Sequence, residues 1–285
     1  MTAAAAVSPR GPYSLALSAR LAGDATRTFR DGVLRAVVSP DELAEAWQLP
    51  DGRVCIRAAS EAGIARMRWL LGLDDDHSEF LRAVRGDPLL GRASLELRGL
   101  RPLRTATVAQ ALLRAFCGQL IESRRARSLE RRIVRALSPD IADGLHAAPT
   151  VELLASVSPT ELRALGLHTR RAAALVRLCR SLDLERLHDV PTTAVAARLE
   201  RERGLGPWSV GVVCLEGLGR FDYGLVGDLG LVKLLRAWRG RPVEAWETAE
   251  LLAPYGPWAG IASVYLLTAL GRGILPATEP LREAA

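Results

Sequence analysis

The chain has 285 residues, of which 49% are hydrophobic and 25% charged, and its net charge is +6. This length and composition fit a globular protein with a sizeable core in one large domain or two modest ones. No apolar run approaches the ~20 residues of a membrane span, and residues 1–6 lack the features of a signal peptide. We therefore expect a cytoplasmic protein without a membrane partner. The positive charge favours a polyanionic partner if the basic residues share one face.

The cysteines are too scattered to form a metal site. No two of the four cysteines form a C-x-x-C pair, since they lie at Cys55, Cys117, Cys179 and Cys214. Zinc sites and iron–sulfur clusters need clustered thiolates, so the spacing argues against both. We expect the four to be small buried hydrophobic residues in a reducing compartment, and we expect no required cofactor.

Turn signals dominate the N-terminal part. Residues 1–12 are expected to be a disordered tail. Residues 13–19 alternate between apolar and polar side chains, as a strand does. Asp31-Gly32 predicts a hairpin, and Pro50-Asp51-Gly52 predicts a second turn between strands. Together these signals predict a small antiparallel sheet.

The pattern changes from strands to helices along the chain. A helix predicted over residues 61–71 completes an N-terminal α+β domain over 13–92. Residues 93–285 show helix after helix, with capping-box signals at Thr107 and Ser158. The nearly uncharged helices over 208–218 and 256–270 are expected to be central, and the tail 276–285 is expected to be frayed. The fold is therefore predicted to be mainly α, with a small α+β domain first.

The most informative segment is a glycine turn between two predicted helices. A helix opened by Pro191 ends near Arg203, and a second helix starts at Trp208 after Gly204-Leu205-Gly206. This predicts a helix-hairpin-helix over about 191–219. Glycines allow a phosphate to approach the backbone, and N–H groups at a helix start bind anions. An ordinary glycine-terminated helix followed by a proline-started one is the alternative.

An acidic residue follows the second helix. Asp228 lies 22 residues after Gly206 and heads the apolar segment that begins at Leu229. It can be an N-cap, and a capping carboxylate is fixed in place beside the predicted phosphate site. Asp222 is the nearest rival acid. A phosphate clamp next to a fixed carboxylate suggests chemistry on a nucleic acid.

Several segments together resemble one known family. Gly204-Leu205-Gly206-Pro207-Trp208-Ser209, Gly227-Asp228-Leu229-Gly230-Leu231 and Pro257-Trp258 resemble the core motifs of the helix-hairpin-helix DNA glycosylase superfamily. The branch most similar is the inducible bacterial 3-methyladenine DNA glycosylases. Residues 97–102, 116–121 and 166–175 are also similar to their counterparts there. The resemblance covers nearly the whole chain, because that branch too begins with a small β-containing domain.

The resemblance implies a role for several residues. Asp228 matches the catalytic aspartate, and Leu120 matches the side chain that fills the gap left by a flipped nucleotide. The implied DNA-binding residues are Gly204, Leu205, Gly206, Ser209, Gln119 and Leu120. In relatives the hairpin carbonyls hold a monovalent cation, which would here fall on Glu200, Glu202 and Leu205.

The pocket implied by the resemblance is less aromatic than in the family. Trp208 matches a pocket tryptophan, at the position where bifunctional relatives carry a Schiff-base lysine. Val212 replaces a pocket tyrosine, and Leu267 replaces a second tryptophan. Tyr13, Trp69 and Tyr265 are candidates to compensate, although Trp and Tyr at such places are more often part of a core.

The implied activity is removal of alkylated purines of the 3-methyladenine type from double-stranded DNA, by a monomer that does not cleave the strand. The chain contains a single lysine, Lys233, so Schiff-base chemistry through lysine has one possible residue. Two alternatives stay open: a protein that binds damaged DNA without catalysis, and the same fold acting on oxidised or deaminated purines.

Overall fold

The computed structural model describes residues 3–20 and 22–275. Seven strands are present in these residues: β1 (Ala3–Val7), β2 (Arg27–Arg30), β3 (Val33–Ser39), β4 (Glu42–Gln48), β5 (Val54–Ala58), β6 (Asp140–Ala142) and β7 (Leu145–His146). The α-helices are α1 (Leu15–Ala19), α2 (Glu61–Leu70), α3 (Ser78–Ala83), α4 (Gly91–Glu96), α5 (Val108–Gly118), α6 (Ser123–Leu137), α7 (Val151–Ser156), α8 (Pro159–Ala164), α9 (Thr169–Ser181), α10 (Thr192–Glu200), α11 (Pro207–Val212), α12 (Leu229–Arg239), α13 (Thr248–Leu252) and α14 (Ala259–Arg272). A π-helical turn, Val213–Gly217, extends α11. The expected frayed tail, 276–285, lies outside the described residues.

The N-terminal part is a five-stranded antiparallel sheet in the order β1-β5-β4-β3-β2. The turn at Asp31-Gly32 joins β2 to β3, as predicted, with both residues in the left-handed region. The predicted turn at Pro50-Asp51-Gly52 joins β4 to β5. Helix α2 covers one face, where Ile64 and Met67 are buried in the sheet's hydrophobic cluster.

Two expectations for the N-terminus were wrong. Residues 3–7 are not part of a disordered tail, because β1 pairs with β5 over its whole length, from Ala3 opposite Ala58 to Val7 opposite Val54. Residues 13–19 are not a strand. The Ser14 side chain accepts a hydrogen bond from the Leu17 backbone N–H and starts the short helix α1. In that segment the N-cap hydrogen bond of Ser14 favours a helix, although the alternation of apolar and polar residues is typical of a strand.

The helical part contains two further hydrophobic clusters. One gathers around α5, from Val108 to Cys117, and includes buried residues of α6, α9, α10 and α11. The other is formed by α12 and α14 together with α3 and α4. Helix α3, which precedes residue 93, and helix α4, which spans it, therefore pack with the C-terminal helices. The division of the chain at residue 92 stays a prediction.

A buried ionic cluster ties the sheet to the helices. The Arg114 guanidinium on α5 pairs with Asp24 beside the sheet at 2.7 Å, with Glu130 on α6 at 2.9 Å, and with Glu216 in the π-helical turn. Burial would lower the pKa of the Arg114 guanidinium, but the three carboxylates around it outweigh that effect and raise the pKa. Burial raises the pKa of Glu130. The cluster fixes α5 and α6 relative to each other, and the loop between these two helices carries Gln119 and Leu120.

The other helical predictions are confirmed within a few residues. Ser158 forms a full capping box with Glu161. Thr107 caps α5 through the Gln110 N–H, but the Gln110 side chain accepts from Ala106 rather than from Thr107. None of the helices in residues 3–20 and 22–275 is long and apolar enough to cross a membrane.

Candidate active site

Helices α10 and α11 are joined by residues 201–206, and this unit is called the hairpin below. Gly204 has φ of +101°, a value that glycine adopts without strain, and Leu205 between the two glycines is buried. Gly206 precedes α11 in an extended conformation, and no side chain caps this helix start. Gly204 and Gly206 are both exposed. Phosphate binding at these glycines stays a prediction.

The loop between α5 and α6 is attached to the hairpin. The Gln119 side-chain amide donates to the Gly204 carbonyl at 2.7 Å and to the Ser209 hydroxyl at 3.0 Å. The next residue, Leu120, is 84% exposed and has φ of +55°, which is uncommon for a leucine. Gln119, Ser209 and the hairpin glycines are therefore brought together. Beside them, the backbone at Leu120 is in the left-handed region and its apolar side chain projects into solvent.

Asp228 is held by two N–H donors. Its Oδ1 accepts from the Gly230 backbone at 2.7 Å, so Asp228 is the N-cap of α12. Its Oδ2 accepts from the Trp208 indole Nε1 at 2.9 Å. Trp208 is the second residue of α11, so this hydrogen bond places the carboxylate next to the hairpin. Both side chains are half-buried, which leaves the carboxylate within reach of a ligand.

Trp208 is positioned by a glycine of α5. A Cβ added to Gly118 would lie 2.4 Å from the Trp208 Cη2 atom, closer than any real contact. The benzene half of the indole therefore rests on the Gly118 backbone, while the pyrrole nitrogen meets Asp228. Sequence analysis missed this role, because the two residues are 90 positions apart.

The loop before Asp228 is fixed by two hydroxyl groups that the sequence analysis did not single out. The Gly227 N–H donates to Thr248 Oγ1 at 2.7 Å, and the Leu225 N–H donates to Ser263 Oγ at 3.1 Å. Thr248 and Ser263 are fully buried. They connect this loop, residues 218–228 and called the aspartate loop below, to α13 and α14.

Leu267, one of the predicted pocket residues, lies close to Asp228. A Cβ added to Gly230 would lie 2.5 Å from Leu267 Cδ2 and 3.0 Å from Asp228 Oδ1. Gly230 thus permits α12 to approach α14 closely, a role that the sequence analysis missed. Val212 is 5% exposed and packs in the C-terminal hydrophobic cluster.

The prediction that Tyr265 lines the pocket was wrong. The residue has no exposed surface. Its hydroxyl donates to the Leu97 carbonyl at 3.1 Å and lies 3.2 Å from His77 Nε2. The ring contacts Phe80 edge to face, so Tyr265 is a core residue that links α14 to α3.

The predicted cation ligands are the backbone carbonyls of Glu200, the last residue of α10, and of Glu202 and Leu205 in the turn that follows. The Glu202 carbonyl accepts from the Leu205 N–H at 3.0 Å within the hairpin turn. The Tyr223 hydroxyl donates to the Glu200 carboxylate and holds α10 against the aspartate loop. No group of three His, Cys, Asp or Glu side chains that could hold a metal occurs in the described part of the chain. The cation at Glu200, Glu202 and Leu205 stays a prediction.

Several known proteins are similar to this chain. It is 28% identical over 252 residues to the probable bifunctional transcriptional activator/DNA repair enzyme AlkA of Mycobacterium tuberculosis, which covers 86% of this chain and 50% of that protein. It is 27% identical over 205 residues to a DNA-3-methyladenine glycosylase of Bacillus subtilis, which covers 68% of this chain and 67% of the relative. The 3-methyladenine DNA-glycosylase from Archaeoglobus fulgidus superposes with a TM-score of 0.81 at 21% identity, covering 93% of this chain and 97% of that one. No protein-family model matches the chain.

The solved structure shows a shared fold, and the relatives show a similarity of sequence. The mainly helical architecture with a small antiparallel sheet is that of DNA glycosylases. In sequence the chain is similar to proteins named AlkA and DNA-3-methyladenine glycosylase, which agrees with the resemblance seen in its motifs. It spans half the length of the Mycobacterium tuberculosis relative.

Proposed function

We propose that this protein is a DNA glycosylase that hydrolyses the N-glycosidic bond of alkylated purines in double-stranded DNA. The observation that carries the proposal is the Asp228 carboxylate, held between the Trp208 indole and the start of α12, directly beside the hairpin. The names of the homologous proteins support the same activity.

The chemistry asked of Asp228 is electrostatic. As the glycosidic bond stretches, positive charge grows on the sugar, and a fixed carboxylate stabilises it. The carboxylate can also orient the attacking water. An alkylated purine is cationic and leaves readily, and it stacks favourably on an indole face such as that of Trp208.

The target nucleotide must first leave the duplex, which costs a few kcal/mol. Leu120 is suited to offset that cost, because its exposed side chain projects from a loop anchored to the hairpin by Gln119. Insertion of an apolar wedge between bases is a general means of stabilising such a distortion.

We infer that the strand is not cleaved. The residue that contacts Asp228 is a tryptophan, which cannot form a Schiff base. The single lysine, Lys233, is exposed on α12, more than a turn beyond Asp228. We further propose that the protein acts as a cytoplasmic monomer and needs no cofactor beyond the cation suggested at the hairpin.

The test is to incubate the protein with methylated duplex DNA, identify the released bases by chromatography and assay the same DNA for nicks. The proposal predicts free 3-methyladenine and intact strands before alkali treatment. Tight binding to a duplex with an abasic-site analogue, without release of any base, would instead support the non-catalytic alternative. Release of oxidised or deaminated purines alone would keep the fold and overturn the substrate. Such neutral bases need polar pocket groups, whereas Leu267 beside Asp228 is apolar.

A further inference from the structure

Helix α6 carries an arginine surface that the site described above does not use. It starts two residues after Ile121, close to the exposed Leu120. All six arginines of this helix fall within one half of its circumference at 100° per residue, and the buried residues Glu130, Ile133 and Val134 fall on the other. The six are Arg124, Arg125, Arg127, Arg131, Arg132 and Arg135.

The arginines that follow Leu120 most closely in sequence have no side-chain partner among the described residues. Arg124 and Arg125 are exposed and Arg127 is half-buried. None of the three forms an ion pair or a side-chain hydrogen bond within residues 3–20 and 22–275. The acidic side chain closest in sequence is Glu122, which is exposed and caps nothing. The first two turns therefore present three cations to solvent against one anion.

Their position does not serve the helix itself. Cations in a first helical turn oppose the helix dipole, which favours acidic residues there. Here the first turn of α6 has no acidic residue and two arginines. A local arrangement that disfavours the fold suggests a use outside it.

We propose that Arg124, Arg125 and Arg127 bind backbone phosphates of the duplex whose lesion Leu120 faces. This inference rests on the proposed function. Arg124 follows Leu120 by four residues, so their Cα atoms are at most about 14 Å apart. A duplex that touches Leu120 therefore passes close to Arg124. Arginine pairs with phosphate oxygens through parallel N–H bonds, and such contacts add affinity without reading sequence.

Helix α6 also supplies a matched control. Arg132 and Arg135 lie about 12 Å and 16 Å farther along the axis than Arg124, beyond the ~8 Å Debye length at physiological salt. Both are exposed and neither forms an ion pair among the described residues. Removing these two charges changes the net charge as much as removing Arg124 and Arg125.

The experiment compares Arg124→Gln/Arg125→Gln with Arg132→Gln/Arg135→Gln. Binding to a duplex with an abasic-site analogue is measured at several salt concentrations, with Tm as the check on folding. We expect the first variant to lower the slope of log K against log salt by about 2 and the affinity at 0.15 M salt about tenfold or more, while the control keeps the wild-type slope.

Equal slopes for the two variants would overturn the inference, as would a wild-type protein that binds no DNA. Base release from methylated DNA by the wild type is scored separately. A selective slope change without any base release would uphold the arginine contacts and contradict the proposed function. Base release with equal slopes would uphold the function and contradict the contacts.

Discussion

At the scale of single residues, the indole N–H of Trp208 orients the Asp228 carboxylate. Trp208→Phe keeps an aromatic face and removes this hydrogen bond. A hydrogen bond to a charged group contributes about 1.5–3 kcal/mol, so we expect the single-turnover rate of base release to fall roughly 10-fold or more. Affinity for an abasic-analogue duplex should change little. An unchanged rate would show that the hydrogen bond does not position the carboxylate.

The contact of Gly118 with Trp208 gives a second prediction at this scale. Gly118→Ala places a methyl group against the indole and must displace it. We expect a slower base release and a loss of about 1–3 kcal/mol of stability from overpacking. Gly271→Ala is the control, because a Cβ there meets nothing within 4 Å. Equal behaviour of the two variants in activity and thermal unfolding would refute the packing argument.

At the scale of elements, the loop between α5 and α6 presents Leu120. Because this side chain is 84% exposed, Leu120→Ala should leave Tm nearly unchanged. Base release from duplex DNA should fall, and release from single-stranded DNA should fall less, since no stacked pair must be opened. Leu95→Ala removes another exposed leucine, at 66%, and should alter neither activity. Equal losses on both DNA forms would argue against a wedge.

The elements also show what a sequence can and cannot predict. Turns with a specific chemistry, such as Asp31-Gly32, were predicted because glycine and aspartate adopt their conformations locally. Strand β1 was missed, because a run of alanines carries no periodicity and its pairing with β5 is set some fifty residues away. Asp228 and the hairpin were recognisable from motifs. Gly118 and Gly230 were not, since their roles arise from contacts between distant helices.

At the scale of the whole molecule, a buried histidine links stability to pH. His77 is fully buried beside Tyr265, and burial lowers the pKa of its imidazole from 6.5 to about 4. Between these values the unfolded chain binds more protons than the folded one, so the free energy of unfolding decreases as pH falls from 6.5 towards 4. The contribution reaches about 3 kcal/mol.

Removing the histidine should remove this dependence. We expect His77→Gln to show a smaller loss of stability than the wild type between pH 6.5 and 4, measured by urea unfolding at each pH. His168, which is exposed at the start of α9, provides the control in His168→Gln. Parallel pH profiles for His77→Gln and the wild type would contradict the assignment of this acid sensitivity to His77.

The most direct measurement is single-turnover release of 3-methyladenine by Asp228→Asn, with Asp222→Asn, an exposed neighbouring acid, as the control. Asparagine keeps the shape of the side chain and loses the negative charge. We predict a fall of about 100-fold or more for Asp228→Asn, with binding to an abasic-analogue duplex retained and with wild-type rates for Asp222→Asn. Release by Asp228→Asn within a few-fold of the wild-type rate would contradict a catalytic carboxylate at this position.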